Sequence, residues 1–318
     1  MDDLIGKTIG GCEIIKPLGS GGAATVYLAT QQSLNRDVAL KILSPEKLQD
    51  QSSIERFIRE AQIAAKLGHE NIVQIHDAGV DGSFYYIVME YIEGDTLEEY
   101  LRIRGSVNLA RAVEIIVSVA EALEYAWSEG TIHRDIKPSN ILLTREGKVR
   151  LTDFGLVKNV RESANLTQEG LALGTPAYMS PEQIRGAHLD FRSDVYSLGL
   201  LFYEMVTGTQ LYSGNTTQII SAKLSDIRIL KPTSVREGLP NRLDHIVALM
   251  TATERDNRFG SYQEMVASLK RLSGGVMKKR RAVPVPDKRR APLIAGIILI
   301  LIIILAVTAF VMLVMRPA

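Results

Sequence analysis

The chain reads as an α+β protein of two lobes, sheet-rich first and helical second, followed by a separate apolar helix. Three observations predict this. Strand-like apolar runs crowd residues 12 to 90, helical periodicity dominates after Gly94, and the uncharged stretch Leu293 to Met315 closes the chain behind a basic linker. With 318 residues there is ample core for a two-lobed unit.

In the first lobe, Thr25 to Ala29, Asp37 to Leu43 and Phe84 to Met89 predict strands, being apolar and rich in β-branched and aromatic side chains. A helix is expected between the second and third, because Phe57, Ala61, Ala64 and Leu67 recur at spacings of four, three and three; Glu60 falls beside that inward face. Leu109, Val113, Ile116, Ala120, Leu123 and Trp127 alternate steps of four and three, which predicts a long helix with a broad apolar face. Asp194 to Val206 predicts another, ending near Gly208, and Arg242 to Met250 and Tyr262 to Leu272 predict two more. Gly274-Gly275 and Pro284-Val285-Pro286 mark a linker.

The formal charge of +1 hides an asymmetry, because residues 278 to 290 hold seven Lys or Arg against the single acid Asp287. Residues 1 to 277 keep 29 basic and 35 acidic side chains, a net of −6, which argues against nucleic-acid binding as the primary function. The lone cysteine, Cys12, permits no intramolecular disulfide and fits a reducing compartment. Five scattered histidines and that cysteine offer no Cys/His metal cluster, leaving oxygen-ligated magnesium as the expected metal. No repeat stands out, and the start has neither a basic leader nor an apolar run of signal length.

The 23 residues from Leu293 to Met315 span roughly 34 Å as a helix, enough to cross a hydrocarbon core of about 30 Å. The basic flank is expected to stay cytoplasmic and to attract anionic lipid. The domain reading is therefore a main domain over 12 to 272, a basic juxtamembrane linker over 273 to 292, a transmembrane helix over 293 to 315 and an outer tail over 316 to 318. Such a tail is expected to leave no room for an external sensor if the chain is complete.

Three motifs carry chemistry. Leu18-Gly19-Ser20-Gly21-Gly22-Ala23-Ala24-Thr25-Val26 is a glycine-rich turn whose backbone amides can approach phosphate oxygens. In Val38-Ala39-Leu40-Lys41, strand alternation sends Ala39 and Lys41 to one face. His133-Arg134-Asp135-Ile136-Lys137-Pro138-Ser139-Asn140, followed 18 residues after Asp135 by Asp153-Phe154-Gly155, supplies a candidate base, a cation and two candidate magnesium ligands.

In this order the motifs resemble the eukaryotic-type protein kinase family, especially the membrane-anchored Ser/Thr kinases of bacteria, over residues 12 to 272. The resemblance implies a bilobal protein kinase fold with a sheet-rich N-lobe and helical C-lobe, followed by one transmembrane helix. It implies ATP and Mg2+ (Mn2+ substituting) as cofactors, with nucleotide contacts from Leu18, Gly19, Ser20, Gly21, Gly22, Ala23, Ala24 and Val26. Ala24 stands where the third glycine is usual, so a stiffer loop is expected. Ala39 is similar to the residue packed over adenine, Lys41 to the lysine on the phosphates, paired with Glu60, and Met89 to the gatekeeper before a Glu90-Tyr91-Ile92 hinge. Asp135 resembles the base, Lys137 the residue steadying the transferred phosphate, and Asn140 and Asp153 the magnesium ligands. His133 is expected to be buried and structural.

Asp153 to Glu182 resembles an activation segment, with Ser180 in place of the usual alanine and Glu182 expected in a buried ion pair with Arg258. Arg134 suggests control by phosphorylation, with Thr167 leading and Ser163 behind it. Thr175 resembles a residue of substrate discrimination. The implied function is a membrane-tethered serine/threonine protein kinase, autophosphorylating, with its kinase domain on the cytoplasmic face of a bacterial inner or plasma membrane. Its expected partners are protein substrates bearing Ser or Thr, membrane lipids and a second copy of itself, with no nucleic acid. The alternative is a pseudokinase scaffold that binds nucleotide and partners without catalysis.

Overall fold

Alternating apolar side chains in the first lobe build a six-stranded antiparallel sheet of order β1-β2-β3-β4-β6-β5. Its elements are β1 (Thr8–Ile9), β2 (Cys12–Ser20), β3 (Ala24–Gln31), β4 (Arg36–Leu43), the helix α1 (Gln51–Ala64), β5 (Ile75–Asp81) and β6 (Phe84–Glu90). A computed structural model describes residues 4–21, 24–43, 51–154, 176–225 and 229–272, the side chains of Ser52, Ser53, Arg56 and Glu60 excepted. The basic linker, the 293 to 315 stretch and the 316 to 318 tail lie outside the described residues. Among the described residues no helix is long and apolar enough to cross a membrane.

The sheet's two faces do different work. Ile14, Tyr27, Val38, Leu40 and Val88 close one face as a core of their own, while Leu43 and Ile87 receive Ile54, Phe57 and Ala61 from α1 on the other. Central β4 is buried along most of its length and places Ala39 opposite Met89 and Lys41 opposite Ile87. The glycine-rich motif is less of a loop than its composition suggests. Gly19 pairs with Val26 and Ser20 with Thr25, so most of it forms the two arms of a hairpin, closed at its tip by Gly21 N–H donating to the Ala24 carbonyl at 2.9 Å.

The second lobe contains β7 (Gly94–Thr96), α2 (Leu97–Arg104), α3 (Leu109–Ser128), β8 (Ile141–Thr144), β9 (Val149–Leu151), α4 (Pro181–Ile184), α5 (Phe191–Thr207), α6 (Thr216–Leu224), α7 (Pro232–Val235), α8 (Asn241–Met250) and α9 (Tyr262–Leu272). Asn108 and Asp190 cap α3 and α5 with their side chains, satisfying N–H groups that have no partner inside the helix. Gly208, at φ 80°, ends α5 in the left-handed region that glycine enters without strain.

The lobe is largely helical after Gly94, as expected, and adds a small sheet of β7, β8 and β9 whose strands, of three or four residues, are too short to show alternation. One expectation needs correction. Trp127 is not part of the buried face of α3. It stands 40% exposed at the last turn, tilted against Phe191 at 5.6 Å. The lobes join where Leu151 of β9 accepts from Val73 N–H at 2.9 Å and donates its own N–H to Asn71 at 2.7 Å. That seam brings β9, and Asp153 just beyond it, beneath β4.

Candidate active site

Residues 133 to 140 follow α3 without regular structure until a short 3-10 turn at Pro138–Asn140, so side chains and neighbouring elements must hold their shape. Asp194 of α5 accepts both the His133 and Arg134 N–H groups at 2.9 Å. Burial pushes its carboxyl up to about 6. His133 is fully buried, with Nε2 3.0 Å from the Thr152 carbonyl. A carbonyl only accepts, so Nε2 carries the proton and Nδ1 accepts the Asp135 N–H at 3.2 Å. Burial brings its pKa down to about 4, so it is a neutral strut, as expected, tilted against Phe154 at 4.6 Å.

Around Asp135 the groups converge. Lys137 Nζ lies 2.9 Å from Asp135 Oδ2, and the Asn140 amide donates to the Asp135 carbonyl at 2.8 Å and to Oδ2 at 3.2 Å. Lys41, buried on β4, crosses the cleft to Asp153 Oδ1 at 2.7 Å. Asp153 has φ 63°, a left-handed conformation uncommon away from glycine, and Arg134 has φ 68°. Strained backbone at both ends of the site fits a geometry held by its surroundings. The expected partner of Lys41, Glu60, sits on α1, but its side chain lies outside the described residues, and with it the expected ion pair.

An apolar cluster joins the lobes. Ala39, Val73 and Met89 pack with partly buried Val26, Ile92 and Leu142, small and branched side chains drawn from both lobes. Leu142 went unmentioned in the sequence because β8 is too short to show its periodicity. Behind Met89 lies a narrow cavity of about 10 Å³, lined by Val73, Ile75, Ile87, Met89, Thr152 and Phe154. The Glu90 carboxylate meets Arg150, and its N–H donates to the Gln74 carbonyl at 2.8 Å. Leu18 is 42% exposed. Gly22 and Ala23 lie outside the described residues.

The donor set fits a hard divalent cation bound with phosphates. Among the described residues no three His, Cys, Asp or Glu side chains cluster as a metal site. Magnesium commonly uses one or two protein oxygens and completes its shell with phosphate and water. Asn140's nitrogen is committed to Asp135, which turns its amide oxygen the other way, and Asp153 supplies a carboxylate.

Beneath this site, Glu182 of α4 and Arg258 form the expected buried pair, with Arg258 donating to both carboxylate oxygens at 2.6 and 2.9 Å. Ser180 caps α4 in a reciprocal capping box with Gln183, and Gln183 Nε2 donates to the Arg134 carbonyl at 2.8 Å. Arg134 Nε is buried without a partner among the described residues. Gly155, Ser163, Thr167 and Thr175 lie outside the described residues. Asp194, Gln183 and Ser193 were missed in the sequence, each resembling an ordinary helix-terminus polar residue.

Comparison with known proteins agrees with this geometry. A family model described as "Protein kinase domain" matches residues 12–268. The serine/threonine-protein kinase PrkC of Bacillus subtilis is 38% identical over 270 residues, 84% of this chain and 41% of that protein. PknB of Mycobacterium tuberculosis is 39% identical over 268 residues, 83% of this chain and 43% of that protein, and PknL of the same organism is 38% identical over 269 residues, 85% and 67%. The chain thus spans less than half the length of PrkC and PknB. The crystal structure of the Mycobacterium tuberculosis PknI kinase domain superposes with a TM-score of 0.69 at 29% identity, covering 84% of this chain and 98% of that one. With four fifths of its length matched and the two lobes meeting at the Lys41 to Asp153 contact, the chain belongs to the protein kinase family, on its bacterial serine/threonine branch.

Proposed function

We propose that the chain is a membrane-tethered serine/threonine protein kinase that moves the γ-phosphoryl group of ATP to protein hydroxyls. The convergence of Asp135, Lys137 and Asn140 with the Lys41 to Asp153 pair carries this reading. Adenine is held by the apolar side chains around Ala39 and Met89, against the hinge, and the hairpin from Leu18 to Val26 covers the phosphates. Lys41 offers a cation to the phosphates near the bound nucleotide. Magnesium, held by Asp153 and the Asn140 oxygen with Mn2+ as a substitute, neutralises phosphate charge when bound.

Asp135 accepts the proton of the acceptor hydroxyl as that oxygen bonds to the γ-phosphorus. The bond from the γ-phosphorus to the bridging oxygen breaks, and ADP leaves with its electron pair. Lys137, already at Asp135, places positive charge beside the group in flight, where it lowers the barrier most. Thr167 is the leading autophosphorylation site and Ser163 the second, with Arg134 as the phosphate's partner.

The uncharged 293 to 315 stretch and its basic flank support tethering, with the kinase domain at the cytoplasmic face. The test incubates the full chain with labelled ATP, Mg2+ and a generic basic protein beside Asp135→Asn. Transfer by the unmodified chain and its loss in the variant are expected. A folded, unmodified chain that transfers nothing would replace the kinase reading with a scaffold. Tethering is checked by membrane fractionation, where deleting 293 to 318 should release the protein.

A further inference from the structure

Trp127 is the chain's only tryptophan, and it stands partly in water near the end of α3. Its ring lies against Phe191 of α5, and Phe191 lies in turn against buried Tyr262, the first residue of α9, at 5.4 Å. The Tyr262 hydroxyl donates to the Phe191 carbonyl at 3.4 Å. The indole therefore rests on an aromatic base drawn from two other helices and presents a flat apolar ledge to the outside.

Carboxylates flank this ledge along the same helix. Glu121 and Glu124 precede Trp127 and Glu129 follows it; Glu121 and Glu129 are exposed, Glu124 partly so. Glu121 lies 3.3 Å from Lys270 Nζ, with both side chains about half exposed, and Glu124 accepts from the Gln263 amide. Exposed pairs of this kind exchange partners at little cost, because water competes for both members. The face thus runs acid, aromatic, acid.

The chain beyond α9 carries the complementary order. Lys278-Lys279-Arg280-Arg281 is basic, Ala282-Val283-Pro284-Val285-Pro286 is apolar and proline-rich, and Lys288-Arg289-Arg290 is basic again. Proline-rich apolar segments dock on aromatic surfaces because their fixed φ leaves little chain entropy to lose. Reach is sufficient: the ten residues from 273 to 282 extend to about 33 Å, whereas α9, which separates Leu272 from Tyr262, is about 16 Å long. Attachment to the same chain gives the segment an effective concentration on the order of millimolar at this face.

We propose that the Val283 to Pro286 segment of this same chain docks on the ledge of Trp127 and Phe191, with the basic clusters on either side of it over Glu121, Glu124 and Glu129. The face is an intrachain docking site for the linker, and it stands whether or not the chain transfers phosphate. On the tethering reading, docking draws the α3 end of the helical lobe toward the 293 to 315 stretch and so orients the lobe at the membrane.

The single tryptophan makes the test direct. Acrylamide quenching of Trp127 emission is measured on the full chain in uncharged detergent micelles, beside Val283→Ser/Pro284→Gly/Val285→Ser/Pro286→Gly. The variant is expected to raise the quenching constant about twofold and to red-shift the emission. Lys278→Gln/Lys279→Gln/Arg280→Gln/Arg281→Gln should give part of that change, and added salt should give the same part in the unmodified chain. In Ser128→Cys/Val285→Cys, diamide should close a disulfide within one chain, the two thiols giving up two electrons and two protons to it. Equal quenching of the unmodified chain and the Val283 to Pro286 variant would overturn the proposal. So would protection that is lost on dilution, which would assign the ledge to a second copy, and quenching of Trp127 by a brominated detergent, which would assign it to the membrane.

Discussion

Glu182 and Arg258, 76 residues apart, meet as a fork-to-fork ion pair with both side chains almost entirely out of water. Ser193 adds a bond to Glu182 Oε1 at 2.7 Å, and Arg258 spends its remaining donors on the carbonyls of Arg192, Ala252 and Thr253. Burial pushes the Glu182 carboxyl up, but the bonds from Arg258 and Ser193 outweigh it and leave it below its ordinary value. The pair ties α4 to the chain just before α9.

Removing either partner strands the other as a buried charge. Arg258→Met is therefore expected to cost about 3 to 5 kcal/mol, and Glu182→Gln a comparable amount, by urea denaturation. The double variant Glu182→Leu/Arg258→Met should be less destabilised than the sum of the two singles, because it leaves no orphaned charge. Additive losses would show that the pair does not act as a unit.

The neutral His133 makes stability depend on pH. Its pKa is about 4 in the fold against 6.5 ordinarily, so between these values the unfolded chain binds a proton that the folded chain does not. Stability from this group falls as pH drops from 6.5 to 4. Asp194 opposes it, since its carboxyl is raised from 3.8 to about 6 and takes up a proton in the fold across that window. Comparing the wild type with His133→Gln isolates the histidine: the wild type should lose about 3 kcal/mol relative to the variant between pH 6.5 and 4. Urea midpoints across that range measure the difference, and a flat difference would rule out a neutral buried His133.

Lys41 and Asp153 should divide stability from activity. Asp153 keeps 30% of its side chain exposed, so Lys41→Met is expected to change stability by no more than about 1 kcal/mol. Phosphoryl transfer should fall by at least about 100-fold in Lys41→Met and in Asp153→Asn, because each removes charge meant for the phosphates or their cation. Steady-state kinetics beside thermal melting separates the two effects; equal loss of folding and activity would deny these residues a direct role.

Gly199 marks the closest approach of α5 to the end of α8. A Cβ there would stand 2.6 Å from Met250 Cβ and 2.7 Å from Thr251 Cγ2, in a helix buried along nearly its whole length. Gly199→Ala is expected to destabilise by about 1 to 3 kcal/mol, although alanine is the better helix former. Gly68→Ala, where a Cβ meets nothing within 4 Å, serves as the near-neutral control by the same denaturation measurement.

Local order was legible where chemistry or periodicity repeats over a few residues. The spacing of Asp135, Lys137, Asn140 and Asp153 pointed to the chemistry, steps of three and four found α1 and α3, and alternation on β4 sent Ala39 and Lys41 to one side. Glu182 and Arg258 were paired from the family resemblance. What the tertiary structure decided are relations between residues remote in the chain: Asp194 under the catalytic loop, Leu142 packed with Ala39, Val73 and Met89, Lys41 on Asp153, and Lys223 behind Ala177 and Met179. Periodicity reports which face of an element is apolar and says nothing of which polar group it will meet. Those partners are chosen only when the helices pack and each buried donor must find an acceptor, which is why an undistinguished lysine on a short helix becomes legible in the fold and not before.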